Sequence, residues 1–255
     1  MLFVMDVGNT QTTVALFKDK KAVHCWRLST ARQRTPDEWG ALLKSLFHLN
    51  DLDIDSVEAV AVSSVVPTAD WPLRQMCSRY FKREPLFVAP GIKTGIQVLY
   101  DNPLEVGADR IVNAVAAGVK YEVPAIVVDF GTATTFDMLD DSGNYLGGVI
   151  APGVAISAEA LFSHAAKLPK VEISRPKRII GKSTVGSMQS GLYWGYVSLV
   201  EGILKRMKRE YGAVKTVVAT GGLAPLLAKD CPNVNAVDEN LTLEGLRIIY
   251  ERNAG

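Results

Sequence analysis

Two aspartates each close an apolar run and are followed two positions later by glycine. These are Asp6 and Gly8 in "LFVMDVGNTQTTVALF", and Asp129 and Gly131 in "AIVVDFGTATTFDMLD". Glycine permits a sharp reversal that exposes backbone N–H groups, and Asn9, Thr10, Thr12, Thr132, Thr134 and Thr135 add short neutral donors. Such a loop cradles phosphate oxygens. An acid beside it is suited to a cation, held directly or through water, while phosphate charge shifts. Taken singly, either turn reads better as an Asx-type hairpin; their duplication reverses that preference.

A third constellation is "YDNPLEVGADRIVNAVAA", where Gly107, Asp109 and Arg110 stand at the mouth of an apolar helical pattern. The helix dipole favours Asp109 there, so capping alone would explain it. Capping does not explain Arg110, because a cation is disfavoured at a helix start. An anionic group for Arg110 to hold is the functional alternative. Other motifs carry less. "IIGKST" has Pro176 where a phosphate-binding Walker loop needs glycine, which excludes that loop. His24, His48 and His164 have no spacing that suggests a metal or a catalytic triad. The run "KRMKRE" reads as a solvated helix face, and Trp194 and Tyr196 read as packing residues.

The scaffold that carries these residues can be read from the same pattern. Both acidic segments read as strand, glycine turn, strand. Aligned without a gap, Val4 meets Val127, Asp6 meets Asp129, Gly8 meets Gly131, Thr12 meets Thr135 and Leu16 meets Leu139. Two related halves are the natural reading. Between them Thr35, Pro36 and Glu38 form a helix start with a capping box, and "VEAVAVSSVVP" reads as a strand. A long helix is expected from Ser183 or Thr184 to a stop at Gly212, with Gly191 and Gly195 on one face allowing close approach of another element. "GNYLGGVIAPGV" and "TGGLAP" read as glycine loops, the second followed by a helix after Pro225, and "LTLEGLRIIYER" reads as a closing helix. Strands alternating with helices, together with strand-turn-strand units, give an α/β chain with mixed sheets. The boundary between halves is placed near residue 116.

The chain has 255 residues, enough for one large domain or two smaller ones. With 28 basic against 27 acidic residues and a formal charge of +1, it carries no footprint for nucleic acid or an anionic membrane. Cys25, Cys77 and Cys231 lie far apart without metal spacing, which points to a reducing, cytoplasmic compartment. "MLFVMDVG" lacks a basic leader and meets Asp6 too early for a signal peptide, so it reads as a strand. No apolar stretch has the length of a membrane span.

Read in order, "DVGNT", "NPLEVGADRIVNA", "DFGTATTFD", "GGVIAPG", "SMQSG", "TGG" and "LTLEGL" resemble the type III pantothenate kinases, and the resemblance covers essentially the whole chain. It implies membership of the acetate kinase, sugar kinase, Hsp70 and actin superfamily. The expected fold is therefore α/β, with two ribonuclease-H-like domains, 1–116 and 117–255, whose mixed sheets are flanked by helices. It implies ATP-dependent phosphorylation of pantothenate to 4'-phosphopantothenate, the first step of coenzyme A biosynthesis, by a homodimer. It implies ATP contacts from Asp6, Val7, Gly8, Asn9, Thr10, Gln11, Thr12, Thr13 and Thr132, with Asp6 near magnesium. Asp129 would bind a monovalent cation, potassium or ammonium. Tyr100, Gly107, Ala108, Asp109, Arg110 and Thr184 would contact pantothenate, and Asp109 would accept the proton of its hydroxyl. The alternatives are a superfamily kinase acting on acetate or a sugar, and a non-catalytic nucleotide-binding regulator of the kind that assists transcription. The intact acids argue against lost catalysis.

Overall fold

Strands β1 (Leu2–Val7), β2 (Gln11–Lys18) and β3 (Lys21–Ser29) run as an antiparallel meander before α1 (Pro36–Leu49) crosses to β4 (Ala59–Ser64). The structure, a computed structural model, describes residues 1–254. Helix α2 (Pro67–Met76) then leads to the short β5 (Leu86–Phe87), giving a five-stranded sheet in the order β3-β2-β1-β4-β5. Strands β1, β4 and β5 are parallel to one another. After α3 (Ala108–Lys120) the pattern recurs. Strands β6 (Ala125–Phe130), β7 (Ala133–Leu139) and β8 (Tyr145–Pro152) form the second meander, followed by α4 (Val154–His164) and α5 (Thr184–Tyr211). Strand β9 (Thr216–Thr220), α6 (Ala224–Leu227), β10 (Ala236–Val237) and α7 (Leu241–Asn253) close the chain. The second sheet has the order β10-β9-β6-β7-β8. Each β-strand of one sheet thus has a counterpart of the same direction and neighbours in the other.

The capping box at Thr35 is formed as the sequence predicts: the Glu38 N–H donates to Thr35 Oγ1 and the Thr35 N–H donates back to Glu38 Oε2 at 2.7 Å. Helix α5 likewise starts after Ser183 and ends at Gly212. One element differs. "GNYLGGVIAPGV" is mostly the strand β8, not a loop, because its alternating apolar residues pair with β7 from Ala133–Pro152 to Leu139–Tyr145. Gly191 and Gly195 form an open face within the chain: among the described residues, nothing beyond their own stretch of helix lies within 4 Å of the place a Cβ would take on either.

The chain separates into two units. The first holds residues 1–97, 101–116 and 241–255, and the second holds 98–100 and 117–240. The final helix therefore departs from the expected second half. Its Leu243, Leu246 and Ile249 join Val112 and Val115 of α3 on one face of the first sheet, against Val4, Ala15, Phe17 and Ala61. The other face packs Phe3, Met5 and Val7 against Trp39, Leu43 and Phe47 of α1 and Leu73 and Met76 of α2. Each fully buried side chain of this size contributes about 1.5–3 kcal/mol. In the second unit Ile126, Val128, Phe136 and Met138 pack under Tyr193, Val197, Val200 and Leu204 of α5. Residues 98–100 join that unit through the Val98–Tyr145 bridge and the Leu99 N–H donated to the Tyr145 carbonyl at 2.8 Å.

Candidate active site

In the first unit the turn between β1 and β2 is held by the Gly8 N–H donated to the Gln11 carbonyl at 3.0 Å. A second brace comes from the end of β3. Thr30 Oγ1 donates to the Gly8 carbonyl at 2.7 Å, so its one proton is used there and Thr12 Oγ1 is the donor in the 2.9 Å contact between the two hydroxyls. The Thr30 N–H adds a bond to the Thr10 carbonyl at 3.0 Å. Asn9, Thr10 and Gln11 form the exposed tip, with Arg32 donating to Asn9 Oδ1 at 3.3 Å. Strand alternation separates the remaining candidates. Asp6 and Thr13 are directly paired and share a face, whereas Thr12 is wholly buried on the opposite face, beside core residue Val7. Thr12 therefore shapes this loop from behind.

The Gly107–Arg110 segment meets the same end of the first sheet. The Val65 N–H, just beyond β4, donates to the Val7 carbonyl at 3.1 Å, and a Cβ on Gly107 would lie 3.7 Å from the Val65 side chain. The Gly107 carbonyl accepts the Arg110 and Ile111 N–H groups at 3.1 and 3.3 Å, which starts α3. The Arg110 N–H is shared with Asp109 Oδ1 at 2.8 Å. That oxygen would be only 2.6 Å from a Cβ on Gly107, so the carboxyl in this orientation occupies the space a side chain at position 107 would take. Ala108 is half-buried and Arg110 buried. Burial pushes the Asp109 carboxyl above its ordinary acidity range, outweighing the Arg110 N–H and the Arg110 charge, which act in the opposite direction. A partly desolvated carboxylate with raised proton affinity at a helix mouth is suited to taking a proton from a bound hydroxyl.

In the second unit the Gly131 N–H donates to the Ala133 carbonyl at 3.0 Å, so this turn closes one residue sooner than the first. The consequence is a correction to the ungapped repeat. Asp6 pairs with Thr13 and Asp129 with Thr135, so Thr12 corresponds to Thr134 and not to Thr135. Thr134, expected among the loop donors, is fully buried, and its Oγ1 has no hydrogen-bond partner. Asp129 and Thr132 lie at the same turn. Gly221, at φ +89°, follows β9 so closely that a Cβ there would be 2.5 Å from Asp129 Oδ1. Tyr100 sits at the other end of β7 and β8, its ring centroid 6.3 Å from that of Tyr145. Thr184 is exposed at the start of α5, where the Gly186 N–H donates to Ser183 Oγ at 3.1 Å. The structure thus joins the Asp6–Thr13 turn to Gly107–Arg110 in one unit and Asp129 to Thr132 in the other. Within the second unit it does not gather Tyr100 at the Asp129 turn.

Sequence reasoning named the threonine on one side of each acid, Thr13 and Thr135, but missed the hydroxyl on the other side. Asp6 stands between Thr13 on β2 and Ser63 on β4, and Asp129 between Thr135 on β7 and Thr220 on β9. Comparing "AVAVSS" with "TVVAT" as the fourth strand of each repeat would have found Ser63 and Thr220. Ser63 is fully buried and its Oγ has no hydrogen-bond partner. A buried hydroxyl left that way costs about 1–3 kcal/mol. Asp137 was also missed: it is wholly buried, with Thr135 Oγ1 donating at 3.1 Å and Tyr145 Oη at 3.0 Å.

Two sheets of identical strand order, each with an acid at the end of its first strand beside a glycine turn, define an α/β protein with two ribonuclease-H-like domains, the actin-like ATPase fold. Solved structures agree on the fold. A ROK family glucokinase from Streptomyces griseus, in complex with glucose and AMPPNP, is 10% identical with TM-score 0.56 over 100% of this chain and 99% of its own. An inorganic polyphosphate/ATP-glucomannokinase from Arthrobacter sp. strain KM is 13% identical with TM-score 0.53, over 99% and 98%. Sequence narrows the class. The family model for type III pantothenate kinase matches residues 2–206. Proteins named type III pantothenate kinase from Anaeromyxobacter sp. (strain Fw109-5) and Koribacter versatilis (strain Ellin345) are 56% and 53% identical, each over 99% of this chain, covering 100% and 96% of their own lengths. The chain belongs to the type III pantothenate kinase family.

Proposed function

We propose that this protein transfers the terminal phosphoryl group of ATP to the primary hydroxyl of pantothenate, giving 4'-phosphopantothenate and ADP, the first step of coenzyme A biosynthesis. The observation that carries the reading is Asp109, a carboxylate of raised proton affinity, set beside the phosphate-type Asp6–Thr13 turn in a chain of this family. The pantothenate hydroxyl oxygen bonds to the γ-phosphorus as the bond to the β,γ-bridging oxygen breaks, and Asp109 takes the hydroxyl proton. Arg110 holds the pantothenate carboxylate, and Tyr100, Gly107, Ala108 and Thr184 complete its contacts. Backbone groups from Val7 to Gln11, with Thr13 and Thr132, receive ATP, while Thr12 maintains their loop.

Magnesium fits the Asp6 end of β1. Among the described residues there is no group of three or more acidic, histidine or cysteine side chains that could hold a metal, so Asp6 with neighbouring hydroxyls suits an ion that keeps waters and phosphate oxygens in its shell. Bound there, magnesium neutralises charge on the transferring phosphoryl group. Asp129 is the ligand for a monovalent cation, potassium or ammonium. We read the protein as a cytoplasmic homodimer, and no described helix is long and apolar enough to cross a membrane. The homodimer reading is supported by the open glycine face of α5 and by a groove of about 500 Å³ lined by Leu161, Leu168, Gly191, Leu192 and Gly195. Release of ADP with pantothenate present and absent, with acetate and sugars as a substrate panel, tests the reaction. Silence with folded protein, magnesium and potassium refutes it.

A further inference from the structure

The triplet around Asp6 contains a hydroxyl that the free protein leaves idle. Ser63 lies in the β4 position that pairs with Asp6, and Val4, Ala15 and Ala61 one pleat earlier share one packed face, so Ser63 and Asp6 stand side by side on it. Neighbouring strands are about 5 Å apart, within reach of a hydroxyl and a carboxylate that share one small ligand. The second sheet keeps a hydroxyl, Thr220, in the same place beside Asp129. Burial without a partner is unfavourable for Ser63 on its own. A partner that comes with the ligand would resolve it.

We propose that Ser63 is a positioning residue for magnesium-bound nucleotide: its hydroxyl hydrogen-bonds a water in the shell of the ion that Asp6 holds. This role rests on the proposed kinase activity. The neighbouring Ser64 is already engaged, donating to the Val66 carbonyl at 3.3 Å and accepting the Val66 N–H at 3.2 Å, which makes it the control at the same strand end.

The test is calorimetric titration of the whole protein with ADP, with magnesium and separately with EDTA. It is accompanied by thermal melting of the free protein. Ser63→Ala should bind magnesium–ADP about tenfold more weakly, as expected for loss of one hydrogen bond to a charged cluster. It should bind ADP in EDTA as the wild type does and melt no lower than the wild type. Ser64→Ala should leave the magnesium dependence unchanged. Equal magnesium–ADP affinity in Ser63→Ala, an equal loss in EDTA, or the same magnesium effect in Ser64→Ala would overturn the assignment. Wild-type protein that binds no magnesium–ADP would instead overturn the kinase reading, and this inference with it.

Discussion

Replacing Asp109 by asparagine separates the chemistry of the carboxylate from its place in the fold. Asparagine keeps a carbonyl oxygen where Asp109 Oδ1 accepts the Arg110 N–H at 2.8 Å, so the first turn of α3 keeps its bond. What is lost is the proposed proton acceptor. A general base contributes about 10²–10⁴-fold, and in a loose phosphoryl-transfer transition state the proton moves late, so a kcat loss of about 10²-fold is expected, equivalent to about 2.7 kcal/mol. Stability should move the other way. Because burial raises the folded-state pKa of Asp109, its protonated form favours folding below the unfolded value of about 3.9, and that contribution is lost as pH rises through the folded value. At pH 7 the wild type therefore carries an unfavourable buried charge that asparagine lacks. Asp109→Asn should melt at or above the wild-type temperature at pH 7, and this advantage should vanish below about pH 4. For the wild type, the acid limb of kcat/KM should lie above the ordinary carboxylate range. The assays are coupled ADP release and thermal melting across pH. Wild-type kcat at saturating pantothenate would refute the base assignment, and a lower melting temperature at pH 7 would refute the electrostatic argument.

Gly221→Ala should cost at least about 2 kcal/mol by denaturant titration, since φ is +89° and the new methyl meets Asp129 Oδ1 and the Phe130 backbone; turnover should fall with it. Asp129→Ala should abolish stimulation by potassium or ammonium, and full wild-type turnover in potassium-free sodium buffer would remove the cation role. Thr12→Val and Thr134→Val, at equivalent positions, should differ in effect. The first loses the bond to Thr30 and is destabilised by about 1 kcal/mol, while the second removes an unpartnered hydroxyl and is neutral or stabilised, as urea midpoints would reveal.

The fold was legible where the pattern is local and repeated. An apolar strand, an acid and a glycine turn occur twice, and the capping residues Thr35, Glu38 and Ser183 mark helix starts where they stand. The failures have physical causes. An ungapped repeat could not register that the Gly131 turn is one residue shorter, because only the pairing of Asp129 with Thr135 fixes the strand alternation after the turn. Glycines hid β8, since Gly147 and Gly148 weaken a strand signal that its partner β7 supplies. Helix α7 comes after the second half in sequence, yet its apolar face matches the first sheet, a tertiary choice that no local pattern encodes. Ser63 and Thr220 were missed because their position beside an acid comes from parallel pairing between distant strands, and only extending the repeat to its fourth strand brings it into view.

That parallel pairing also marks where the two sheets, alike in strand order, come to differ. In both sheets the acid is flanked by a threonine from the antiparallel strand and a hydroxyl from the parallel one. The two sheets diverge where the chain leaves the parallel strand. After Ser63 come Ser64 and Val65, and the Val65 N–H returns to the Val7 carbonyl beside the start of α3, where Asp109 stands. After Thr220 comes Gly221 with positive φ, folding its backbone against the Asp129 carboxyl. The first acid thereby keeps an unpartnered hydroxyl beside it, at the sheet end that the start of α3 meets; under the proposed function this end would take the hydrated divalent ion. The second is closed in by the Gly221 backbone, and under the proposed function it would hold the monovalent ion. A single duplicated scaffold thus gains its asymmetry from the residues that leave each central parallel strand.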